Sequence, residues 1–280
     1  MTCGGITNEK LDAFVNWLRM EDRSPGTIEK YRRDVSAFGK WLGQRDITSA
    51  SVAEWKEQLL DKQYAPVTIN SMLIAVKRFM VFCGIDVRVR LLRVQRRLFR
   101  RPDRELNRTE YERLLDTAKK QKKERLLLVM ETICSTGIRV SEVKYITVEA
   151  VQRGRTDIAL KGKIRTIILP GKLCRKLLSY AKRKKIASGE IFVTESGRSL
   201  SRGQIWAEMK MICRDAGVKE MKVFPHNLRH LFATAFYRTY KDIARLADVL
   251  GHSSVETTRI YLTTSGEEHE KQIARLNLIR

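Results

Sequence analysis

Apolar residues recur three and four positions apart in segment after segment of this chain, a spacing that only a helix turns into a single buried face. Leu11, Phe14, Val15 and Leu18 do so over residues 7–22, and Ile28, Tyr31, Val35, Phe38 and Leu42 over residues 27–42. Two more such segments cover residues 51–61 and 66–83. Ser24-Pro25-Gly26 breaks the first pair, Pro66 suits the first turn of the fourth helix, and Gly84 suits its end. Short loops between successive helices predict an N-terminal four-helix bundle.

The second half mixes patterns. Helices are predicted from Asn107 or Thr109 (either serving as N-cap) to Lys119, over 125–135, and over 140–146 behind Thr136-Gly137 and Arg139. Residues 157–160 and 165–169 then read as two strands around the turn Lys161-Gly162-Lys163. Further helices follow over 171–184 and 201–216, with a short apolar segment at 191–194 between them, and a last one is predicted over 267–276. At 280 residues the chain is long for one ordinary core. The expected fold is therefore mainly α with a small β-sheet: a helical bundle over 1–86, a linker over 87–105, and a mixed α/β domain over 106–280.

Charge indicates the partner. Lys and Arg total 55 against 32 Asp and Glu, a formal +23, which favours a polyanion and, for a chain with a patterned core, nucleic acid. The linker segment VRVRLLRVQRRLFRRPDR carries eight arginines against one aspartate. Its interleaved Val and Leu residues predict that part of it packs on a domain while the arginines meet phosphates. Helix starts in SPGTIEKY and PVTINSMLIAVKRF pair a proline with hydroxyl residues, a setting for phosphate contacts as well as for simple capping. No long apolar run and no signal-peptide core appears, so a cytoplasmic protein is expected. No separate arm-binding domain is expected ahead of residue 7. Five scattered cysteines without a CxxC pair predict reduced, mostly buried thiols.

One stretch concentrates chemistry: PHNLRHLFATAFYRTYKDIARLADVLGHSSVETTRIY, from Pro225 to Tyr261. His226 and Arg229 share a helical face, with Leu228, Leu231, Phe232 and Ala235 expected on the buried side. Gly251 ends the helix over 242–250 and delivers His252. Ser253 and Glu256 offer a capping box for a helix bearing Tyr261, nine residues after His252. His226 and His230 stand four apart, but the residues between them hold no glutamate and do hold a cation, which opposes a metal site. The set reads as a phosphate site with a tyrosine nucleophile that uses no metal or cofactor.

HNLRH, LGHSSVETTRIY and STGIRVSEV strongly resemble the tyrosine recombinases, the integrase and Xer-like site-specific DNA recombinases; SPGTIEKYRRDVSAFGKWL and TINSMLIAVKRF resemble the family's core-binding domain more loosely. The resemblance implies an N-terminal core-binding bundle and a catalytic domain that together close on duplex DNA. Arg139 and Arg229 match its two phosphate-clamping arginines, His226 the position that assists the tyrosine, and His252 one that hydrogen-bonds the phosphate. Lys161 matches the hairpin lysine that protonates the leaving oxygen, although the motif is shortened here and Lys163 stays open. Glu142 matches an acid behind the first arginine, His230 a supporting residue, and Tyr261 the nucleophile. The implied reaction runs through a 3′-phosphotyrosyl bond and a Holliday junction, with a dimer on one site, a tetramer in the synapse, and a C-terminal helix docked on the neighbouring protomer.

Two other readings differ in what they require. A DNA-binding architectural or regulatory protein of the same fold would bind tightly without cleaving, and a type IB topoisomerase would relax plasmids without recombinant product.

Overall fold

The computed structural model describes residues 5–86, 88–94, 102–160, 163–261, 270–271 and 273–276. The chain divides into two compact units, Met1–Arg96 and Arg97–Arg280.

The first unit packs α1 (Asn8–Met20), α2 (Pro25–Leu42), α3 (Ser49–Asp61) and α4 (Pro66–Phe82). Thr7, Ser24 and Thr48 cap the first three through side-chain oxygens, each accepting from a backbone N–H of the first turn. The residues at helical spacing are the ones buried: Phe14, Leu18, Val35, Phe38, Ile69, Leu73, Val76 and Phe79 are all sealed from solvent. Phe14 meets Phe79 edge to face at 5.2 Å between centroids. At the exit of the bundle the Asn70 amide pairs with the backbone of Leu92, accepting from its N–H at 2.8 Å and donating to its carbonyl at 2.9 Å. Val89 and Leu92 pack on the bundle beside it, so this part of the arginine-rich segment is seated on the first unit. Residues 87 and 95–101 lie outside the described set.

In the second unit, α5 (Arg108–Lys120) and α6 (Glu124–Thr136) lead into a 3₁₀ turn, Val140–Tyr145, then α7 (Val148–Arg153). Strands β1 (Arg155–Leu160) and β2 (Lys163–Ile168) pair antiparallel, from Arg155 opposite Ile168 to Leu160 opposite Lys163. α8 (Gly171–Arg183), α9 (Arg202–Met211), α10 (Pro225–Tyr240), α11 (Ile243–Leu250) and α12 (Val255–Thr258) follow. Asn107 is the N-cap of α5, in a capping box with Glu110. Together these elements make a mostly helical protein with one small sheet.

Several local features differ from the sequence reading. Residues 140–145 form a 3₁₀ turn, tightened where the Glu142 carboxylate takes the backbone N–H of Arg139 at 2.7 Å. α7 was not anticipated, and α9 stops at Met211 rather than 216. Ser254, not Ser253, caps α12 by accepting from the N–H of Glu256, and α12 is so short that Tyr261 falls in a separate 3₁₀ turn, Arg259–Tyr261. Of the final helix, residues 270–271 and 273–274 are helical, and the other residues of 267–276 either turn or lie outside the described set.

α6 and α10 lie in close contact because Gly137, the left-handed C-cap of α6, lets Phe232 approach. A Cβ on Gly137 would stand 2.4 Å from a ring carbon. On the inner side of α10 the buried residues are Pro225, Asn227, Leu228, Arg229 and Ala233. Ala235 faces out, and the arginine takes the inward place instead. The Asn227 amide donates to the carbonyls of Arg104 and Lys222, both at 2.7 Å, and so fixes where α10 begins.

Candidate active site

Arg229 is among the largest buried side chains of the described residues, 2% exposed. A guanidinium in that position needs acceptors for its hydrogens. It donates through Nη1 to the carbonyl of Gly137, and through Nη2 to the carbonyl of Leu250 at 2.7 Å and to His252 Nε2 at 3.0 Å. The carbonyls come from the ends of α6 and α11, where helices leave acceptors unpaired. Burial, then the nearby positive charges of Arg139 and Arg165, brings the Arg229 pKa down to about 10, so it stays charged at neutral pH.

That bond fixes the chemistry of His252. A guanidinium can only donate, so Nε2 must be the bare nitrogen and Nδ1 carries the hydrogen, which it donates to Thr258 Oγ1 at 2.8 Å. Thr258 is fully buried on α12. Burial and then Arg229, Arg139, Arg165 and His226 push the His252 pKa down to about 4, in keeping with a neutral ring. The ring lies nearly parallel to that of Tyr261, 6.2 Å between centroids, while His230 meets the same tyrosine edge-on at 4.8 Å. Tyr261 itself is 1% exposed, packed with Ala233, Leu246 and Leu250.

Arg139 lies on the solvent side. It caps the 3₁₀ turn, donates through Nη1 to Glu142 Oε1 at 3.0 Å, and reaches the Gly251 carbonyl at 3.5 Å. Its side chain is 41% exposed, whereas Glu142 is 1% exposed. His226 opens onto the same side. Desolvation at the pocket wall, followed by the charges of Arg229 and Arg139, lowers its pKa. Arg139, His226 and Arg229 line one cavity of about 610 Å³ together with Trp206, Arg202 and Phe224. The arrangement offers an anion two guanidiniums, with a neutral imidazole whose tautomer is set and a tyrosine close behind them.

Of the six residues singled out from the sequence, Arg139, His226, Arg229, His252 and Tyr261 therefore gather in one region. Lys161 lies outside the described residues, and of Lys163 only the backbone, at the start of β2, is described. Sequence reasoning did not find the Thr258 partner of His252, nor, although it placed Arg165 on the second strand, the hydrogen bond that this arginine donates through Nη1 to Glu142 Oε2 at 3.0 Å. Strand alternation carried a signal for the second: Arg165 shares a face with Ile167, which is buried, while Ile168 on the other face is exposed. Among the described residues no group of three or more His, Cys, Asp or Glu side chains could hold a metal ion.

The model of the phage integrase family matches residues 104–268, more than half of the chain, and that of the phage integrase N-terminal SAM-like domain matches residues 11–83. The chain belongs to the phage integrase family. Within this family of tyrosine recombinases, tyrosine recombinase XerA of Pyrococcus furiosus is 28% identical over 282 residues, spanning 98% of this chain and 96% of its own. A crystal structure of XerA recombinase matches with a TM-score of 0.52 at 26% identity, covering 98% of this chain and 100% of that one. A lambda integrase dimer bound to a COC′ core site shares the fold, with a TM-score of 0.71 at 18% identity over 93% of this chain and 95% of the other. The enzyme class expected from the sequence, a tyrosine-type site-specific recombinase, is the one these family relationships carry.

Proposed function

We propose that this chain cleaves and rejoins duplex DNA at a specific site, with Tyr261 as nucleophile and Arg139 and Arg229 as the clamp on the scissile phosphate. The observation that carries the reading is the double engagement of His252, hydrogen-bonded to Arg229 on one side and stacked beside Tyr261 on the other. In the cleavage step the Tyr261 oxygen bonds to phosphorus as the bond to the 5′ oxygen breaks. His226 assists removal of the phenol proton, and the hairpin lysine, Lys161 in this reading, gives a proton to the departing oxygen. An unperturbed phenol, with a pKa of about 10, is mostly protonated at neutral pH, which is why adjacent cations and a base matter. The two guanidiniums neutralise the charge that builds on the non-bridging oxygens. The phosphotyrosine conserves the energy of the broken bond, so the 5′-hydroxyl of a partner strand can reseal it without a nucleotide.

The lambda integrase structures include a dimer on a core site and a tetramer bound to a Holliday junction. By the same logic this chain works in the cytoplasm as a dimer on one site and a tetramer in the synapse, the C-terminal helix of each copy docking on its neighbour. The exposure of Ile273 and Leu276 supports that docking, as does a groove of about 1150 Å³ lined by Ile168, Leu231, Phe232 and Phe236. Trapping on a nicked suicide substrate tests the chemistry. Wild type should form an SDS-stable DNA adduct and Tyr261→Phe none; an undiminished adduct with the variant would sink the proposal.

A further inference from the structure

Among the described residues Glu142 is the sole carboxylate in the hydrogen bonds that hold Arg139, Arg165, Arg229 and His252, and it is almost wholly buried. It accepts from Arg139 twice, through the backbone N–H and Nη1, and once from Arg165 Nη1. Arg165 is held at a second point, where Nε donates to the carbonyl of Val249 at 3.0 Å. Its stem also runs so close to Gly251 that a Cβ there would stand 2.4 Å from Cδ. The side chain is 11% exposed, and its Nη2 is buried with no hydrogen-bond partner among the described residues. A third guanidinium is thus built into the wall behind the phosphate site, in contact with the acid that holds Arg139 and with the backbone that delivers His252.

We infer that Arg165 is a positioning residue for the cleavage reaction: it occupies one oxygen of Glu142, so that the buried acid does not neutralise Arg139 alone, and it pins the Val249–Gly251 backbone that presents His252. This rests on the proposed reading of the site as a phosphate clamp. Three guanidiniums against one carboxylate leave two net positive charges for a phosphodiester whose negative charge grows in the transition state. Without Arg165, the full charge of Glu142 acts on Arg139 and the site holds one positive charge fewer. The strand can also drift from the turn before His252. The first effect acts through charge on the substrate, which a purely structural role would not do.

The experiment compares adduct formation on two nicked DNAs, one with a normal scissile phosphate and one with a methylphosphonate, whose neutral phosphorus centre needs less cationic help. Arg165→Ala should lose about 100-fold in cleavage rate on the phosphate DNA and no more than about 10-fold on the methylphosphonate, each against wild type on the same DNA. Arg165→Lys, which keeps the charge but cannot reach both acceptors, should show the same pattern with a smaller loss, and it carries the test if the alanine variant does not fold. Equal losses on the two DNAs, no loss on the phosphate DNA, or no cleavage of the methylphosphonate DNA by either variant would overturn the inference. In these cases wild type still forms its Tyr261-dependent adduct and the reading of the site stands. A wild type that forms no adduct on phosphate DNA overturns both.

Discussion

The two units bury polarity in different ways. Among the described residues of the bundle, Asp34 is the one buried ionic side chain, and its partners Lys30 and Arg33 remain open to water. In the second unit Glu142 and Arg229 are both sealed inside and Arg165 nearly so, and they are held by carbonyls, a histidine and one another. Charge at a surface can be resolvated when its partner is lost, whereas charge in a core cannot. The bundle is thus an ordinary apolar core, and the second unit keeps in its interior a cationic group that helps stability only while every member is present.

The sharpest way to break this contrast is to remove one carboxylate from each unit. Glu142→Ala should destabilise the second unit by about 3–5 kcal/mol, since Arg165 is left buried without its acid. Asp34→Ala should cost the bundle only about 1 kcal/mol, because Lys30 and Arg33 return to water. Denaturant unfolding of the two variants measures the difference, and similar costs would show that the units do not differ in this way.

Arg229→Ala comes next. Adduct formation on the suicide substrate should fall by about 10²–10³, or about 3–4 kcal/mol of transition-state stabilisation, beyond any loss of folded protein. Activity per folded molecule checks this, and a variant that cleaved normally would make Arg229 a structural cation only.

The smallest effect is a pH dependence confined to one unit. All the histidines, four in the chain, lie beyond Arg97. His252 has a pKa of about 4 in the folded chain, and His226 is lowered too. An unfolded histidine titrates near 6.5, so between that pH and about 4 the unfolded state binds more protons, and stability falls as pH falls through this window. Hydrogen exchange followed separately in the two units should show the second weakening over that range while the bundle holds, and His252→Asn should flatten the slope.

The elements were largely legible because their signals are local. The spacing of Leu11, Phe14, Val15 and Leu18 needs no partner to be read, and neither does the capping pair of Asn107 and Glu110. The gathering of Arg139, Arg229 and His252 became legible through family resemblance; helical spacing alone placed Arg229 on a polar face, and the structure buries it. That reversal has a tertiary cause. The carbonyls that make an inward arginine tolerable belong to Gly137 and Leu250, far away in sequence. Tyr261 follows the same rule, since its burial depends on Ala233, Leu246 and Leu250. The 3₁₀ form of residues 140–145 escaped periodicity because a six-residue segment is too short to separate two helical periods.

Gly251 joins these observations. It ends α11 in the left-handed conformation, its carbonyl lies near Arg139, and its α-carbon faces the stem of Arg165 without room for a methyl group. Three demands from three parts of the chain converge on one residue with no side chain. In evolutionary terms that leaves the lineage no neighbouring step: any single substitution must disturb the helix end, an arginine stem and the approach to His252 together, so change at this position has to wait for compensating change on β2.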